Sequence, residues 1–249
     1  MFKAGLVSIS FRSLSPEEIL LLCKENGLSL VEWGSDVHAP YNSEERLRAI
    51  AARQKELGIA CSSYGTYFKL GIHDTSELHG YINAAKILGT NILRLWCGDK
   101  NHEDLTEEQK NHLLAEAKKA ALIAEEAGVI LCMECHNNTF TNCVEGALEL
   151  MNTVNSPAFQ MYWQPNQFRS DEVNFAYAKA IASYTKNIHV FQWREKDKFP
   201  LADGLPLWEQ YLSYFDGSQA LLLEFMPDNK PESLEKEAAT LHKLIKGVL

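Results

Sequence analysis

Short apolar runs alternate with amphipathic stretches along most of the chain. One order recurs four times, at residues 25–33, 56–64, 87–95 and 126–134: a helical stretch ends at a glycine, and an apolar run follows that closes on polar or aromatic residues. Glycine is common just after a helix because it adopts the left-handed conformation without strain. The pattern therefore predicts a repeated unit of one strand and one helix.

Eight such apolar runs predict eight strands. They lie at residues 5–10, 28–33, 59–64, 91–97, 129–135, 159–164, 187–193 and 220–226. The runs are nearly continuous rather than alternating, which indicates a parallel sheet covered on both faces. Helix start signals lie between them, with capping boxes formed by Ser15 with Glu18 and by Thr106 with Gln109. No low-complexity linker interrupts the sequence, so residues 1–249 are predicted to form a single domain.

The same alternation could build an open, doubly wound sheet or a closed barrel. An open sheet is normally announced by a glycine-rich phosphate loop after the first strand, and residues 8–13 contain no glycine. A chain of 249 residues also has the usual length of an eight-fold barrel. The predicted fold class is thus α/β, a single-domain (β/α)8 barrel, in which catalytic side chains lie at the C-terminal ends of the strands.

Charge and composition narrow the classes of partner. The formal charge of −9 argues against nucleic-acid and anionic membrane surfaces, which require clustered Lys and Arg. No apolar run reaches transmembrane length, and the six cysteines lack disulfide-scaffold spacing. We therefore expect a cytoplasmic protein that binds a small neutral molecule and neither nucleic acid nor a membrane, and that is compatible with a homo-oligomer. The aromatic residues described below indicate that this molecule is a small-molecule carbohydrate.

Two glutamates, Glu134 and Glu224, close the fifth and eighth apolar runs. Burying a carboxylate at the end of a strand costs free energy, so each glutamate needs either an interacting partner or a functional role. Two facing glutamates are suited to removing and returning a proton next to a carbonyl group, one on each face of the carbon. The alternative is that each is a structural residue in a salt bridge. Their common level in the barrel favours the catalytic interpretation.

Aromatic residues are the second common feature of the strand ends. Flat aromatic faces suit the C–H rich faces of sugars, although most aromatic residues in this position serve in packing. The repeated position predicts that these side chains line a sugar-sized pocket. They are Trp33, Tyr64, Trp96, Trp163 and Trp193.

Four further polar residues are candidates at the same end. His136 and His38 are candidates for polarising a substrate oxygen or carrying a proton, with an ordinary hydrogen-bonded role as the alternative. Glu32 and Arg94 lie on the second and fourth strands, and alternate strands of a barrel contribute to common layers. They are predicted to form a buried ion pair that supports the site rather than reacting.

Four motifs resemble the sugar phosphate isomerase/epimerase family, the xylose isomerase-like TIM barrels. They are VEWGSDVH at 31–38, ECHNNTFT at 134–141, YWQP at 162–165 and LLEF at 222–225, and the resemblance covers essentially the whole chain. The family includes ketose 3-epimerases, hydroxypyruvate isomerases, inosose dehydratases and zinc-dependent abasic-site endonucleases. In its isomerases a divalent metal is held by Glu, Asp, His and Glu on strands five to eight, and the two glutamates also act as the acid/base pair.

The resemblance places Glu134 and Glu224 at the two glutamate positions. Gln164 stands where aspartate is expected, and the metal histidine position falls on Phe191, with His189 two residues earlier on the same face. The resemblance therefore implies either a weak or altered site for Mg²⁺ or Mn²⁺, built from Glu134, Gln164, His189 and Glu224, or no metal at all.

Three functions are compatible with these residues. The first is an isomerase or epimerase of a small sugar or ketose, phosphorylated or not, that transfers a proton through an enediolate. The second is a dehydratase on the same scaffold, which removes the same proton but expels a hydroxyl. The third is a sugar-binding protein that lost turnover together with its metal ligands.

Overall fold

In the computed structural model, which describes residues 1–248, eight parallel strands form a closed barrel. The strands are β1 (Lys3–Val7), β2 (Leu30–Gly34), β3 (Ala60–Leu70), β4 (Ile92–Cys97), β5 (Ile130–Glu134), β6 (Phe159–Trp163), β7 (Thr185–Val190) and β10 (Ala220–Leu223). Each pairs with its neighbour in sequence, and β10 closes the ring by pairing with β1. The predicted (β/α)8 fold is confirmed.

Helices follow the strands and surround the barrel. They are α1 (Pro16–Glu25), α2 (Glu44–Leu57), α3 (Leu78–Leu88), α4 (Glu107–Ala127), α5 (Val144–Val154), α6 (Asp171–Ile181), α7 (Leu205–Leu212) and α8 (Leu234–Gly247). Both predicted capping boxes are present at the starts of α1 and α4. The four glycines of the repeat all have φ between 67° and 86°, as a helix C-terminus of this kind requires. Within residues 1–248, no helix combines the length and apolarity needed to cross a membrane.

Alternation along each strand sorts side chains into two compartments. Val7, Cys132, Tyr162 and Leu222 pack inside the barrel, whereas their sequence neighbours pack in the larger core between strands and helices. The lumen is narrow at β1: a Cβ on Gly5 would lie 2.7 Å from the Leu30 carbonyl oxygen. The direction of each side chain therefore decides whether it can take part in a site at the barrel mouth.

Two elements differ most from the sequence prediction. Strand β3 continues to Leu70, beyond the predicted end at residue 64, and its register with β4 shifts between Gly65 and Lys69. The predicted strand 187–193 is divided, because β7 ends at Val190. The strands β8 (Gln192–Arg194) and β9 (Asp197–Phe199) then form an antiparallel hairpin outside the barrel. This hairpin stands at the C-terminal end of the strands, where the site lies.

Candidate active site

A cavity of about 210 Å³ opens at the C-terminal mouth of the barrel. Glu134, the last residue of β5, and Glu224, the residue after β10, both line it and are both buried. The two carboxylates thus face one space, as the sequence analysis predicts from their positions. Their surroundings, however, are different.

Glu134 is held by two donors from β4. Arg94 Nη1 and Trp96 Nε1 both donate to Glu134 Oε2. Burial raises the pKa of Glu134, but the guanidinium of Arg94 outweighs burial and holds this pKa well below its usual range. Glu134 is therefore an ionised, fixed carboxylate whose second oxygen, Oε1, faces His189.

Glu224 has no such partners. Among residues 1–248, no donor lies within hydrogen-bonding distance of its carboxylate, and the nearest cationic atom is His189 Nδ1 at 3.6 Å. Burial raises the pKa of Glu224 above its ordinary value, and the imidazole of His189 offsets only part of that rise. Of the two glutamates, Glu224 is the one whose oxygens are free to take a proton from a ligand in the cavity.

His189 connects the two glutamates. Its Nδ1 lies 3.4 Å from Glu134 Oε1 and 2.9 Å from Gln164 Oε1. Its Nε2 points the other way, 3.3 Å from Glu32 Oε2. Burial lowers the pKa of His189, but the carboxylates of Glu224 and Glu32 raise it to about 10 overall. The imidazole thus turns one nitrogen toward the two glutamates that line the cavity and the other toward the barrel interior.

His189 was included in the predicted ligand set although the family's histidine position falls on Phe191. Phe191 lies beyond the end of β7 and contributes an apolar wall to the cavity. His189, two residues earlier on the same strand, brings its imidazole to the glutamates instead. Only Gln164, where aspartate is expected, then departs from the family pattern of ligands.

The donor set fits a divalent cation. Glu134, His189 and Glu224 each offer an atom within 4.8 Å of the others. An octahedral Mg²⁺ site, with ligands at roughly 2.0–2.1 Å, places opposite ligands about 4 Å apart, so small movements would complete such a shell. Gln164 Oε1, beside His189 Nδ1, adds a neutral oxygen. Oxygen donors with a single nitrogen favour Mg²⁺ or Mn²⁺ over tightly bound zinc.

Beneath this group lies the ion pair of Glu32 and Arg94. Arg94 Nε donates to Glu32 Oε1 at 2.8 Å, and both side chains are buried. Gly65 makes room for the pair, because a Cβ there would lie 2.7 Å from both Arg94 Nη2 and Glu32 Oε1. The predicted ion pair is present, but Arg94 also lines the cavity and holds Glu134.

Two hydroxyl groups that the sequence analysis missed complete the interior. Tyr162 Oη and Ser63 Oγ both donate to Glu32 Oε2, the latter at 3.0 Å. Although burial raises the pKa of Glu32, Arg94 and His189 lower it to about 2. Strand alternation was the available signal, since Tyr162 lies two residues before Gln164 on the face that reaches the site.

The rim contains three of the predicted pocket residues, Trp96, His136 and Trp193. The Trp96 and His136 rings lie 5.4 Å apart. His136 Nδ1 lies 2.7 Å from the Asn137 carbonyl oxygen, to which it donates, so Nε2 is the ring nitrogen left to exchange a proton with a ligand. Arg12, from the loop after β1, and Tyr67, on the extension of β3, also line the cavity and are hydrogen-bonded at 2.5 Å. Neither of these two was among the predicted site residues.

Two of the predicted pocket tryptophans lie elsewhere. Trp163 is 0% exposed and packs between the barrel and α7, with its ring 4.9 Å from Tyr211 and 6.1 Å from Trp208. Trp33 also points outward, and its Nε1 donates to Gln54 Oε1 of α2 at 2.6 Å. The prediction that they line the pocket is wrong, because each directly follows or precedes a residue that occupies the inward face.

Tyr64 and His38 are also outside the cavity. Tyr64 Oη donates to the Ala39 carbonyl oxygen at 2.6 Å, on the outer side of β3. His38 is buried, with Nδ1 at 3.1 Å from Ser8 Oγ and Nε2 at 3.2 Å from the Leu14 carbonyl oxygen. Both ring nitrogens of His38 are engaged in holding loops together, so neither of these residues is placed to contact a ligand.

The chain is thus a closed βα barrel that carries a cluster of carboxylates and one imidazole at its C-terminal mouth. Residues 20–244 match the family described as the xylose isomerase-like TIM barrel. The chain belongs to this family.

Individual relatives are more distant. A 3-dehydroshikimate dehydratase from Bacillus anthracis is 24% identical over 167 residues, which cover 62% of this chain and 59% of that enzyme. The sequence match thus spans less than two thirds of the relative's length. It is a similarity to an enzyme and leaves the reaction of this chain to be argued from its own residues.

Solved structures show the same fold over nearly the whole chain. A probable 3-DHS dehydratase from Bacillus anthracis has a TM-score of 0.82 at 17% identity, covering 97% of this chain and 99% of that one. An L-ribulose 3-epimerase has a TM-score of 0.77 at 15% identity, covering 100% and 96%. A xylose isomerase-like protein from Mycobacterium smegmatis in complex with magnesium has a TM-score of 0.75 at 11% identity, covering 100% and 98%.

Proposed function

We propose that this protein is an enzyme that removes a proton from the carbon next to a carbonyl group in a small polyhydroxylated substrate. In the leading form of the proposal it is an isomerase or epimerase of a small sugar or ketose. The observation that carries the proposal is the cluster of Glu134, His189 and Glu224, in which both glutamates line one cavity at the barrel mouth.

Four side chains would hold a divalent cation in this site. They are Glu134, Gln164, His189 and Glu224. The magnesium complex of a protein with the same fold supports a divalent cation in such a barrel. A bound Mg²⁺ or Mn²⁺ supplies Lewis acidity that polarises the substrate carbonyl and stabilises the negative charge of an enediolate. Trp96 and Trp193 offer flat faces on which a sugar can lie.

Glu224 is the proton acceptor in this proposal. Its carboxylate opens to the cavity without a donor, and burial makes its protonated form more favourable than in water. Glu134 is instead fixed by Arg94 and Trp96, which stabilise its charged form. His136 lies beside Glu134 on the rim and is the second group that can deliver or accept a proton at the substrate.

The asymmetry between the two glutamates favours a second candidate, a dehydratase. Epimerisation requires an acid/base group on each face of the carbon, whereas elimination of water can proceed with one strong acceptor and one proton donor to the leaving hydroxyl. The sequence match to a 3-dehydroshikimate dehydratase supports the same candidate. Glu224 would remove the proton, and His136 would protonate the departing hydroxyl.

Solvent exchange separates these reactions. The protein, supplied with Mn²⁺, is incubated in D2O with a panel of ketoses, their phosphates and 3-dehydroshikimate, and each mixture is examined by NMR and ultraviolet absorbance. Isomerisation or epimerisation places deuterium on carbon in the recovered sugar. Dehydration gives a product one water lighter with a new conjugated absorbance. Binding of a panel member without exchange or product would overturn the proposed activity and favour a binding protein.

Matched glutamine variants then assign the acceptor. Glu224→Gln should lower turnover by about 10²–10⁴-fold, the usual contribution of a positioned acid or base. The surface variant Glu126→Gln is the control and should retain activity. In an epimerase that uses both glutamates, Glu134→Gln and Glu224→Gln should each still exchange the proton of one epimer. A Glu224→Gln enzyme with less than tenfold loss would exclude Glu224 as the acceptor.

A further inference from the structure

Three buried glutamates, Glu32, Glu134 and Glu224, lie around His189, and Glu32 is the one of the three that does not line the cavity. It lies on β2, is 0% exposed, and contacts protein groups on every side. Burying a carboxylate in this way costs free energy that hydrogen-bond donors must offset, and a functional role would explain why this cost is tolerated. Because it cannot touch a substrate, any contribution to the reaction must act through its neighbours.

The two carboxylate oxygens of Glu32 have different partners. Glu32 Oε2 accepts from Tyr162 Oη and Ser63 Oγ and lies 3.3 Å from His189 Nε2. Glu32 Oε1 accepts from Arg94 Nε at 2.8 Å. Arg94 in turn donates through Nη1 to Glu134. Glu32 therefore contacts His189 directly and reaches Glu134 through one guanidinium.

This arrangement specifies the tautomer of His189. A carboxylate only accepts hydrogen bonds, so the hydrogen on the Glu32 side must lie on Nε2. Without a cation, Nδ1 also carries a proton, which it donates to Gln164 Oε1 at 2.9 Å. A cation bound at Nδ1 would displace this second proton, and the ring would then be neutral with its lone pair on the nitrogen that faces Glu134 and Glu224. The hydrogen bond on one side of a histidine thus determines which nitrogen is available to a metal on the other side.

We propose that Glu32 is a positioning residue for the metal site, holding Nδ1 of His189 and Oε1 of Glu134 in place for one divalent cation. This inference rests on the proposed function. It is supported by charge: three buried carboxylates, Glu32, Glu134 and Glu224, are balanced by the guanidinium of Arg94 and one divalent ion around a neutral imidazole. Without Glu32 the same group would carry a net positive charge that opposes binding of the cation.

The test is Mn²⁺ binding to the full chain, measured by isothermal titration calorimetry without any substrate. Glu32→Gln should weaken Mn²⁺ binding by about 10–100-fold, the usual effect of losing a group that orients a metal ligand. A glutamine offers one oxygen, so it cannot accept from Arg94 on one side and from His189, Tyr162 and Ser63 on the other. Glu237→Gln removes another buried glutamate, which lies on α8 and does not line the cavity, and should leave Mn²⁺ affinity unchanged.

Histidine NMR gives an independent readout on the unmodified protein. With Mg²⁺ bound, nitrogen-15 correlation spectra should show the His189 proton on Nε2, with the signal assigned by its loss in His189→Gln. A proton on Nδ1 in the Mg²⁺ complex would overturn the proposal, even if Glu32→Gln failed to fold. Equal Mn²⁺ affinity of folded Glu32→Gln and wild-type protein would overturn it as well. If wild-type protein bound neither ion, the metal-dependent function itself would fail.

Discussion

At the residue scale, the indole of Trp163 lies in an aromatic cluster between the barrel and α7. Three aromatic rings surround it, those of Trp208, Tyr211 and Phe215, at centroid distances of 4.9 to 6.1 Å. Its Nε1 has no hydrogen-bond partner among the described residues, so the side chain contributes through packing alone. Trp163 therefore contributes to the stability of the fold rather than to ligand binding.

We therefore expect Trp163→Ala to destabilise the fold by about 3–5 kcal/mol, the usual cost of removing a buried tryptophan. Trp163→Phe should cost much less because no hydrogen bond is lost. Trp193→Ala, at the half-buried cavity wall, should leave stability nearly unchanged and weaken ligand binding. Urea unfolding followed by circular dichroism measures the first effects. A Trp163→Ala protein as stable as wild type would contradict the packing role.

Arg94 offers a second residue-scale prediction. It is buried and is the cation that pairs with both Glu32 and Glu134. Arg94→Gln leaves these carboxylates without their cation, and removing one partner of a buried pair typically costs about 3–5 kcal/mol. Arg53→Gln is the matched control, since solvent screens the exposed pairs of Arg53 with Glu17 and Glu56 and they should contribute little to stability. Equal losses in the two variants would show that burial does not strengthen the Arg94 network.

The direction of each side chain explains which site residues the sequence could predict. Glu134 and Glu224 are acidic residues at the ends of apolar strands, and this contrast marked them. Trp163 and Gln164 are neighbours, so only one of them can face the lumen, yet both were assigned to the pocket. In strands that are apolar on both faces, composition does not reveal which face is inside. Tyr162, the inward neighbour of Glu134 on β6, was missed for this reason.

At the element scale, helix ends were the strongest signal. The glycines that close α2, α3 and α4 fixed the starts of the following strands within one residue of prediction. The hairpin of β8 and β9 was not predicted, because residues 194–198 are mostly charged and resemble a solvated run. Contacts with distant residues hold it: Lys198 Nζ lies 4.7 Å from the ring of Phe225, and the Glu195 N–H donates to the Gln167 carbonyl oxygen at 3.0 Å. Contacts between distant residues leave no local pattern in the sequence.

Helix α8 provides a prediction about pH. Glu237 Oε2 accepts from the Leu201 backbone N–H at 2.9 Å, and burial raises the pKa of Glu237 above its ordinary 4.5. Below about pH 4 both folded and unfolded states are protonated and no penalty exists. As pH rises, the unfolded state ionises first, so this glutamate lowers the stability of the folded state. The stability of Glu237→Gln relative to wild type should therefore increase between about pH 4 and pH 7.

Thermal unfolding of both proteins across this pH range is the measurement. The comparison isolates Glu237 because every other titrating group is shared by the two proteins. A difference in melting temperature that is constant with pH, or that shrinks as pH rises, would contradict the raised pKa.

At the scale of the whole molecule, the candidate metal ligands come from four separate strands or the loops that follow them. Glu134 belongs to β5, Gln164 follows β6, His189 lies on β7 and Glu224 follows β10. The shell therefore exists only in the closed barrel, and an unfolded chain cannot reproduce it. A cation that binds these residues must stabilise the folded state relative to the unfolded one.

Metal removal should consequently lower the melting temperature of the entire domain. At a free Mn²⁺ concentration 100 times Kd, binding adds about 2.7 kcal/mol, which for a chain of this size corresponds to about 5–10 °C. Differential scanning fluorimetry in EDTA and in Mn²⁺ measures the difference. Glu224→Gln should show little shift with Mn²⁺, while in EDTA it should be at least as stable as wild type, because burial of an unpartnered carboxylate is then avoided. Identical melting temperatures of wild-type protein in EDTA and in Mn²⁺ would argue that the cluster binds no cation.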